Sequence, residues 1–195
     1  MDKEHLPKPW RLMRYENGPD LHIFKVRHEW YENPRNKREL KRLVLETPGW
    51  VNVVALTPEK KIVTVNQYRF GIKEVICEIP GGLIDEGETS QEAAIRELRE
   101  ETGYTTSQWA YLGYVYPNPA FHTNICHHWL AENVQKTQEP TLDEGEDITV
   151  SCLSFDAMKK KILQGQFRHV LALSALAHIS DFWNLLLHND FYTTP

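Results

Sequence analysis

Short apolar runs, each closed by turn residues, characterise the chain from residue 50 onwards. Runs rich in aliphatic and aromatic residues predict six strands, over residues 50–57, 62–70, 74–79, 111–116, 125–132 and 148–155. Helical spacing of apolar positions predicts three helices, over residues 89–102, 156–164 and 170–187. Strands, one helix, further strands and closing helices predict an α+β fold, an α/β/α sandwich with a mixed β-sheet between helices.

The N-terminal part of the chain has a different pattern. Residues 10–32 hold two β-rich runs separated by the turn cluster Glu16-Asn17-Gly18-Pro19-Asp20, and residues 37–47 fit either a third strand or a short helix. We therefore expect a small, mostly antiparallel β unit over residues 1–47 and a main domain over residues 48–195. Because so small a unit buries little core by itself, it should pack on the main domain or on a second subunit.

The helix predicted over residues 89–102 has clear ends. Thr89 followed by Glu92 forms a capping box, and Gly103 is the residue type expected just beyond the last turn. A step of 100° per residue places one mainly apolar stripe toward the sheet, made of Gln91, Ala94, Ile95, Leu98 and Thr102. This helix should therefore pack on one face of the sheet.

Three glutamates lie beside that stripe. Glu97 and Glu101, at positions i and i+4, share a face of the helix, and Glu100 lies at its edge. Carboxylates this close repel one another unless a cation lies between them, and oxygen ligands suit Mg²⁺. Taken alone, such a row of glutamates is more often a solvated helix face than a metal site.

The stretch from Gly82 to Tyr104, GLIDEGETSQEAAIRELREETGY, resembles the Nudix box, G-x5-E-x7-R-E-(apolar)-x-E-E-x-G-(apolar). The resemblance implies a hydrolase that uses Mg²⁺, with Mn²⁺ as a substitute, to cleave a nucleoside diphosphate joined to another group. It implies metal ligation by the side chains of Glu97, Glu100 and Glu101 and by the Gly81 carbonyl, with Glu100 also assisting catalysis. Structural roles fall to the other box residues, Gly82, Glu88, Arg96 and Gly103. Among these, we expect Arg96 to pair with Glu88 or Glu100.

Motifs outside the box resemble one branch of this superfamily, the ADP-ribose and nucleoside diphosphate sugar pyrophosphatases. The motifs are Gln67-Tyr68-Arg69, Glu78-Ile79-Pro80-Gly81-Gly82 and, beyond the box, Pro119. The resemblance implies that Arg69 binds a substrate phosphate, since a guanidinium suits phosphate oxygens. It also implies that the acidic loop over residues 143–148 supplies the catalytic base. Glu144 is the better candidate, and Glu146 is the alternative base or an assistant on the metal side.

One departure from the branch concerns the substrate. After Pro119 the branch continues with glycine and an acidic residue, whereas this chain reads Ala120-Phe121-His122-Thr123-Asn124. We therefore expect a pyrophosphatase of nucleotide sugars, with a dedicated ADP-ribose pyrophosphatase as the alternative. The aromatic side chains suited to stacking on a nucleobase are Trp10, Trp30 and Phe121, for which core packing is the competing role.

The same branch is typically homodimeric, and its N-terminal β unit reaches across to the nucleoside pocket of the partner. The resemblance therefore implies a homodimer formed through residues 1–47 of this chain. In that arrangement Trp30, Arg35 or Arg38 would contact the substrate bound by the other subunit.

Composition and charge limit the partners and the cellular compartment that we expect for this protein. A net charge of −5 argues against nonspecific nucleic-acid binding, which requires a basic face. The N-terminal residues lack a secretory apolar run and no 18-residue apolar span occurs, so we expect a cytoplasmic protein without membrane association. The three cysteines, expected to be reduced and buried, are Cys77, Cys126 and Cys152. The three histidines whose spacing does not fit a zinc site are His122, His127 and His128.

A non-catalytic ligand sensor of the same superfamily is the competing class of function. Such regulators often have eroded boxes or an added DNA-binding domain. Here every box glutamate is intact, and the residues after Phe155 contain no basic recognition helix. Nucleoside triphosphate clean-up and mRNA decapping have no support in the flanking motifs. The sequence therefore favours an enzyme.

Overall fold

The computed structural model describes residues 6–179, and this part of the chain divides into two compact units. The first unit comprises residues 6–48 and 116–124, and the second comprises residues 49–115 and 125–179. The first unit is built on an antiparallel sheet in the order β1-β2-β3, with strands β1 Arg11–Asp20, β2 Lys25–Glu32 and β3 Glu39–Glu46. Residues 121–123 run beside β3, where Leu45 N–H donates to the Phe121 carbonyl at 2.7 Å.

The turn between β1 and β2 lies later in the chain than the sequence predicts. Strand β1 continues through the cluster Glu16 to Asp20, which is accommodated by a shift in strand register between Asn17 and Asp20. The chain reverses over residues 21–24 instead, where the Asp20 carboxylate accepts the His22 N–H at 2.9 Å. A side-chain acceptor of this kind stabilises a turn just beyond it, so the turn forms after the cluster and not within it. Residues 37–47, which by sequence fit either a strand or a short helix, contain strand β3.

The second unit contains a six-stranded mixed sheet and three helices. Its strands are β4 Trp50–Leu56, β5 Ile62–Arg69, β6 Glu74–Glu78, β7 Tyr104–Thr105, β8 Gln108–Val115, β9 Cys126–Glu132, β10 Gln135–Lys136 and β11 Ile148–Leu153. Its helices are α1 Ser90–Thr102, α2 Phe155–Leu163 and α3 Val170–Leu176. The sheet order is β11-β5-β4-β9-β8, with β6 paired to β5; β4 and β9 are parallel and the other pairs antiparallel. The six predicted strands are confirmed, and the short β7–β10 ladder was not predicted.

Helices cover both faces of this sheet. On one face, Val51 and Val53 of β4 belong to an apolar cluster with the α1 residues Ala94 and Leu98. On the other face, the alternate β4 residues Val54 and Leu56 pack in a second cluster, which also contains Met158, Phe167, Ala172 and Leu176. The predicted α+β fold with a mixed sheet between helices is therefore confirmed. Helix α3 ends at Leu176, so the helix predicted over residues 170–187 ends earlier than expected, and the part of that prediction beyond residue 179 lies outside the described residues.

Helix α1 begins and ends where the sequence predicts. The Thr89 side chain accepts the Glu92 N–H and the Glu92 carboxylate accepts the Thr89 N–H, which completes the capping box. Gly103 closes the helix in the left-handed conformation, with φ of 74°. A Cβ at this position would overlap the Gln138 carbonyl oxygen, so glycine is required on two grounds.

The inward face of α1 is rotated from the predicted stripe. Gln91 is exposed and Ile95 is 39% exposed, whereas Ala93 and Glu101 are buried together with Leu98. The predicted stripe was therefore wrong in part. Close approach of α1 to β4 favours the small Ala93 side chain over Ile95, and the rotation carries Glu101 into the interior.

The three cysteines are free thiols. Cys77 and Cys126 are buried as expected, and Cys152 on β11 is half-buried. None of the helices within residues 6–179 combines the length and the apolar character needed to span a lipid bilayer.

The rotation of α1 predicts unequal effects of two alanine substitutions. Leu98→Ala should lower the free energy of unfolding by about 2–5 kcal/mol, since it leaves a cavity in a fully buried site. Ile95→Ala, on the same helix, should lower it by about 1 kcal/mol or less, because that side chain is exposed. Urea denaturation followed by circular dichroism measures both values. Equal losses would show that the originally predicted stripe faces the sheet.

Candidate active site

The loop that enters α1 is held against β4 by backbone hydrogen bonds. Val51 N–H donates to the Gly82 carbonyl at 2.9 Å, and the next bond of the same ladder ends on the Pro80 carbonyl. Gly81, between the two acceptors, faces the other way, and its N–H donates to Glu101 Oε2 at 3.0 Å. The Gly81 N–H is therefore directed toward α1 and not toward β4.

Both glycines of this loop lie too close to their neighbours to carry a side chain. A Cβ at Gly81 would overlap the Val51 carbonyl oxygen, and a Cβ at Gly82 would overlap the Glu97 carboxylate. The second overlap is informative, because it shows that the loop backbone forms one wall of the space that Glu97 occupies. Gly82 thus brings the loop and the helix carboxylates together.

Arg96 connects the loop to the helix. Its Nε and Nη2 each donate to the Glu88 carboxylate at 2.9 Å, and Nη2 also donates to the Leu83 carbonyl at 2.9 Å. Its Nη1 donates to Glu97 Oε1 at 2.8 Å and to Glu100 Oε2 at 3.4 Å. The hydrogen bonds from Arg96 lower the pKa of Glu88. Arg96 therefore pairs with both of the partners weighed from the sequence, and it makes a further bond to Glu97.

The carboxylates of α1 lie in an unfavourable electrostatic environment. Glu101 is only 3% exposed, and burial, followed by the charges of Glu97 and Glu146, raises its pKa well above the ordinary value against the effect of the Gly81 hydrogen bond. Burial is also the main cause that raises the pKa of Glu97, with Glu146 adding to it and Arg96 opposing it. Like charges so placed favour either a proton or a cation.

The acidic loop is attached to α1 at its start. Thr141 N–H donates to the backbone carbonyl of Glu100 at 2.8 Å, seven residues before β11 begins. Within the loop, Asp143 N–H donates to Glu146 Oε2 at 3.1 Å. Glu146 is half-buried and its charge acts on Glu97 and Glu101, whereas Glu144 is exposed. The identity of the catalytic base stays a prediction. The half-buried position of Glu146 and the action of its charge on Glu97 and Glu101 favour Glu146 over Glu144.

Arg69 is held by a residue to which the sequence assigned no role. Its Nε and Nη2 donate to the two Glu78 oxygens at 2.6 and 2.9 Å, and these hydrogen bonds are the main cause that raises its pKa. Glu101 and Glu146 also act on the charge of Arg69. His169 Nδ1 lies 3.1 Å from Glu78 Oε2, off the line of a hydrogen bond. Glu78 could have been singled out from the sequence, because it is a glutamate within the apolar run of β6. For His169 no comparable local signal exists.

The residues predicted to bind the nucleoside do not all share one site. Trp10, Pro119 and Phe121, in the first unit, line an open cavity of about 640 Å³. Glu29 and Tyr31 of β2 line the same cavity, so the alternation of side chains along a strand directs Trp30 to the opposite face of the sheet. There the Arg14 guanidinium lies 3.5 Å from the centre of the Trp30 ring. The structure therefore separates Trp30 from the other two aromatic candidates.

The three neighbouring histidines have separate surroundings. His128 is fully buried, burial lowers its pKa to about 4, and its Nε2 lies 3.1 Å from Ser174 Oγ. His127 Nδ1 contacts the Tyr111 hydroxyl at 2.9 Å, and His122 packs against Phe121.

The α1 carboxylates fit a hard divalent cation by the chemistry of their oxygens. Within residues 6–179 no set of three acidic, histidine or cysteine side chains has the arrangement of a metal site as it stands. In this structure Glu97 and Glu100 are bonded to Arg96, and Glu101 is bonded to Gly81. The mutual repulsion of these carboxylates and the wall provided by Gly82 nevertheless suit a small cation. Ligation by Gly81, Glu97, Glu100 and Glu101 stays a prediction.

Comparison with known proteins identifies the family of this chain. The sequence model of the NUDIX domain matches residues 47–173. The chain is 39% identical to the ADP-ribose pyrophosphatase of Bacillus subtilis over 126 residues, which cover 64% of this chain and 68% of that protein. It is 28% identical to the GDP-mannose pyrophosphatase of Cronobacter sakazakii over 169 residues, which cover 80% and 87% of the two chains.

A solved structure shares the fold. The crystal structure of an ADP compounds hydrolase superposes with a TM-score of 0.78, at 20% identity, over 92% of this chain and 96% of that one. The chain belongs to the NUDIX family and is a Nudix hydrolase. The matches also confirm the branch to which the flanking motifs pointed. Enzymes of the family generally use divalent metal ions.

The buried carboxylate predicts how stability changes with pH when metal is absent. The pKa of Glu101 is raised in the folded protein, so its contribution to stability is full below the unfolded-state pKa and is lost as pH rises through the folded-state pKa. Glu101→Gln should remove part of this loss and give a higher Tm than wild type at alkaline pH. Thermal unfolding in EDTA from about pH 4 to about pH 8 measures the effect.

Glu86→Gln is the matched control for this experiment. It makes the same isosteric change at an exposed glutamate in the loop before α1, and its stability profile should follow wild type. A Glu101→Gln profile with the wild-type slope would contradict the assignment of a costly buried charge to Glu101.

Proposed function

We propose that this Nudix hydrolase is an Mg²⁺-dependent pyrophosphatase of nucleoside diphosphate sugars, which forms a nucleoside monophosphate and a sugar phosphate. One observation carries the proposal: the charges of Glu97, Glu101 and Glu146 act on one another, and those of Glu101 and Glu146 act on the Arg69 guanidinium. Carboxylates under mutual repulsion favour a proton or a cation, and a half-exposed guanidinium beside them suits an anionic substrate. A pyrophosphate bound through a divalent metal is compatible with both features.

The residues of the chain divide the work between the metal and the substrate. Glu97, Glu100, Glu101 and the Gly81 carbonyl would hold the cation. Bound there, Mg²⁺, or Mn²⁺ in its place, would neutralise the pyrophosphate and activate a water molecule. Arg96 bonds to Oε1 of Glu97, which leaves Oε2 outside that bond, and the bonds of Arg96 to Glu88 hold the loop.

Arg69 would bind a phosphate oxygen of the substrate. Its side chain is 42% exposed, and its pair with Glu78 occupies Nε and Nη2, so the donors on Nη1 lie outside that pair. A planar guanidinium is well suited to a pyrophosphate because it presents two donors in a fixed geometry. The proton of the attacking water would pass to a carboxylate of the acidic loop, and Glu146 is the better placed.

We assign the substrate to a class, the nucleoside diphosphate sugars, and not to one particular sugar or base. The two curated relatives reported above are described as acting on ADP-ribose and on GDP-mannose, both of which are nucleoside diphosphates joined to a sugar. The missing glycine and acidic residue after Pro119 favour a broad preference over a dedicated ADP-ribose pyrophosphatase.

We also infer that the enzyme is a cytoplasmic homodimer formed through its N-terminal β unit. The described part of that unit exposes several large apolar side chains, among them Leu12, Met13, Tyr15 and Leu43. Exposed apolar side chains of this size are common at interfaces between subunits.

A hydrolysis panel tests the proposed activity. ADP-ribose, GDP-mannose, UDP-glucose and CDP-sugars are incubated with enzyme and Mg²⁺, and the monophosphate products are separated by chromatography. More than one nucleotide sugar should be cleaved, and Glu101→Gln protein prepared in parallel should show no turnover. Activity confined to ADP-ribose would select the dedicated pyrophosphatase, and activity on none would refute the proposal.

Substitution of the two loop glutamates identifies the base. Glu146→Gln should lower kcat by about 10²–10⁴-fold, the usual effect of losing a general base. Glu144→Gln is the matched control, since it makes the same change two residues away at an exposed position. We expect it to retain kcat within about threefold. The reverse ranking would assign the base to Glu144.

A further inference from the structure

Arg69 and Glu78 form a side-chain pair although they are not opposite each other in the β5–β6 ladder. In the β5–β6 ladder Arg69 is opposite Glu74, whereas Glu78 is opposite Val65, four residues back along β5. At a rise of about 3.3 Å per residue these two positions are about 13 Å apart along the strand. The bidentate contact between Arg69 and Glu78 therefore requires the arginine side chain to extend back along the sheet.

Glu78 is what fixes this direction. Its side chain is 2% exposed, so its carboxylate needs a partner inside the protein, and Arg69 supplies two aligned donors. Without that partner, a long arginine side chain at the end of a hairpin would sample many rotamers in solvent. With it, the guanidinium is placed where the charges of Glu101 and Glu146 act on it.

The connection between α2 and α3 contacts Glu78 through His169. His169 Nδ1 lies 3.1 Å from Glu78 Oε2 but off the line of a hydrogen bond, and this buried nitrogen has no hydrogen-bond partner in the described part of the chain. The preceding residue, Arg168, forms an ion pair with Glu74 at the start of β6. Residues 168 and 169 thus contact both ends of β6, the strand that carries Glu78.

We propose that Glu78, supported by His169, is a positioning residue that holds the Arg69 guanidinium ready for a substrate phosphate. The phosphate contact rests on the proposed function. The positioning itself rests on the contacts among Arg69, Glu78 and His169. Glu78 acts through Arg69 and needs no contact with substrate, so its loss should weaken substrate binding more than the chemical step.

The guanidinium signals of arginine report the positioning without any substrate. In ¹⁵N NMR spectra the Arg69 Nε–H, identified by its absence in Arg69→Lys, should be visible and slow to exchange in the wild type. Glu78→Gln should broaden or remove this signal. Glu74→Gln, on the same strand and paired with Arg168 instead, should preserve it. An Arg69 signal unchanged in Glu78→Gln would overturn the proposal.

Steady-state kinetics with a cleaved nucleotide sugar measure the consequence. Glu78→Gln should raise KM about tenfold with kcat within about threefold, a loss of about 1.4 kcal/mol in binding. Adding Glu78→Gln to Arg69→Ala should raise KM no further, because both changes remove the same contact. Glu74→Gln should keep the wild-type KM. Additive effects in the double variant, or an unchanged KM in Glu78→Gln, would refute the positioning role.

The histidine provides a second pair of variants in case Glu78→Gln does not fold. His169→Asn places an amide nitrogen near the position of Nδ1 and should keep KM close to wild type, whereas His169→Leu should raise it. Equal KM values for the two variants, at equal Tm, would contradict the support assigned to His169. A wild-type enzyme that cleaves no nucleotide sugar would refute the proposed function, while the NMR comparison would still decide whether Glu78 holds Arg69.

Discussion

The burial of one carboxylate organises this molecule. Glu101 lies on the inward face of α1, is 3% exposed and receives one backbone hydrogen bond, from Gly81, beside the charges of Glu97 and Glu146. A buried anion among other anions is costly for a folded protein, so it persists where function requires it. The glycine loop donates to this carboxylate through Gly81, and the charge of Glu146 in the acidic loop also acts on it. Here the site is part of the core and not an addition to its surface.

Two arginines compensate the negative charge of these carboxylates in different ways. Arg96 distributes its donors over Glu88, Glu97 and a loop carbonyl, so that it joins the loop to the helix as part of the framework. Arg69 is bound by one buried carboxylate and keeps part of its guanidinium exposed. The first arginine therefore stabilises the site, and the second is available to a ligand. The difference comes from the number of acceptors within reach and not from the residue type.

Much of the fold and the framework of the site were open to prediction. Alternating apolar runs identified the six main strands, and the capping box with Gly103 located both ends of α1, because these signals act over a few residues. Predictions failed where a distant part of the chain decides the outcome. The turn after β1 moved beyond Gly18-Pro19 because pairing with β2 absorbs those residues as a register shift. Helix α1 presents Ala93 instead of Ile95 because the sheet leaves room for a small side chain.

The sequence by itself determined the spacing of the box, and with it the helix, its caps and the presence of Glu97, Glu100 and Glu101 on adjoining positions. Helix geometry makes such spacing sufficient, since residues four apart share a face wherever the helix lies. Only the tertiary structure decided that Glu78 and His169 meet beside Arg69, and that Trp30 faces away from Phe121. Those relations join residues up to a hundred positions apart. They depend on the register of β5 with β6, the connection before α3 and the alternation along β2, which no short stretch of sequence encodes.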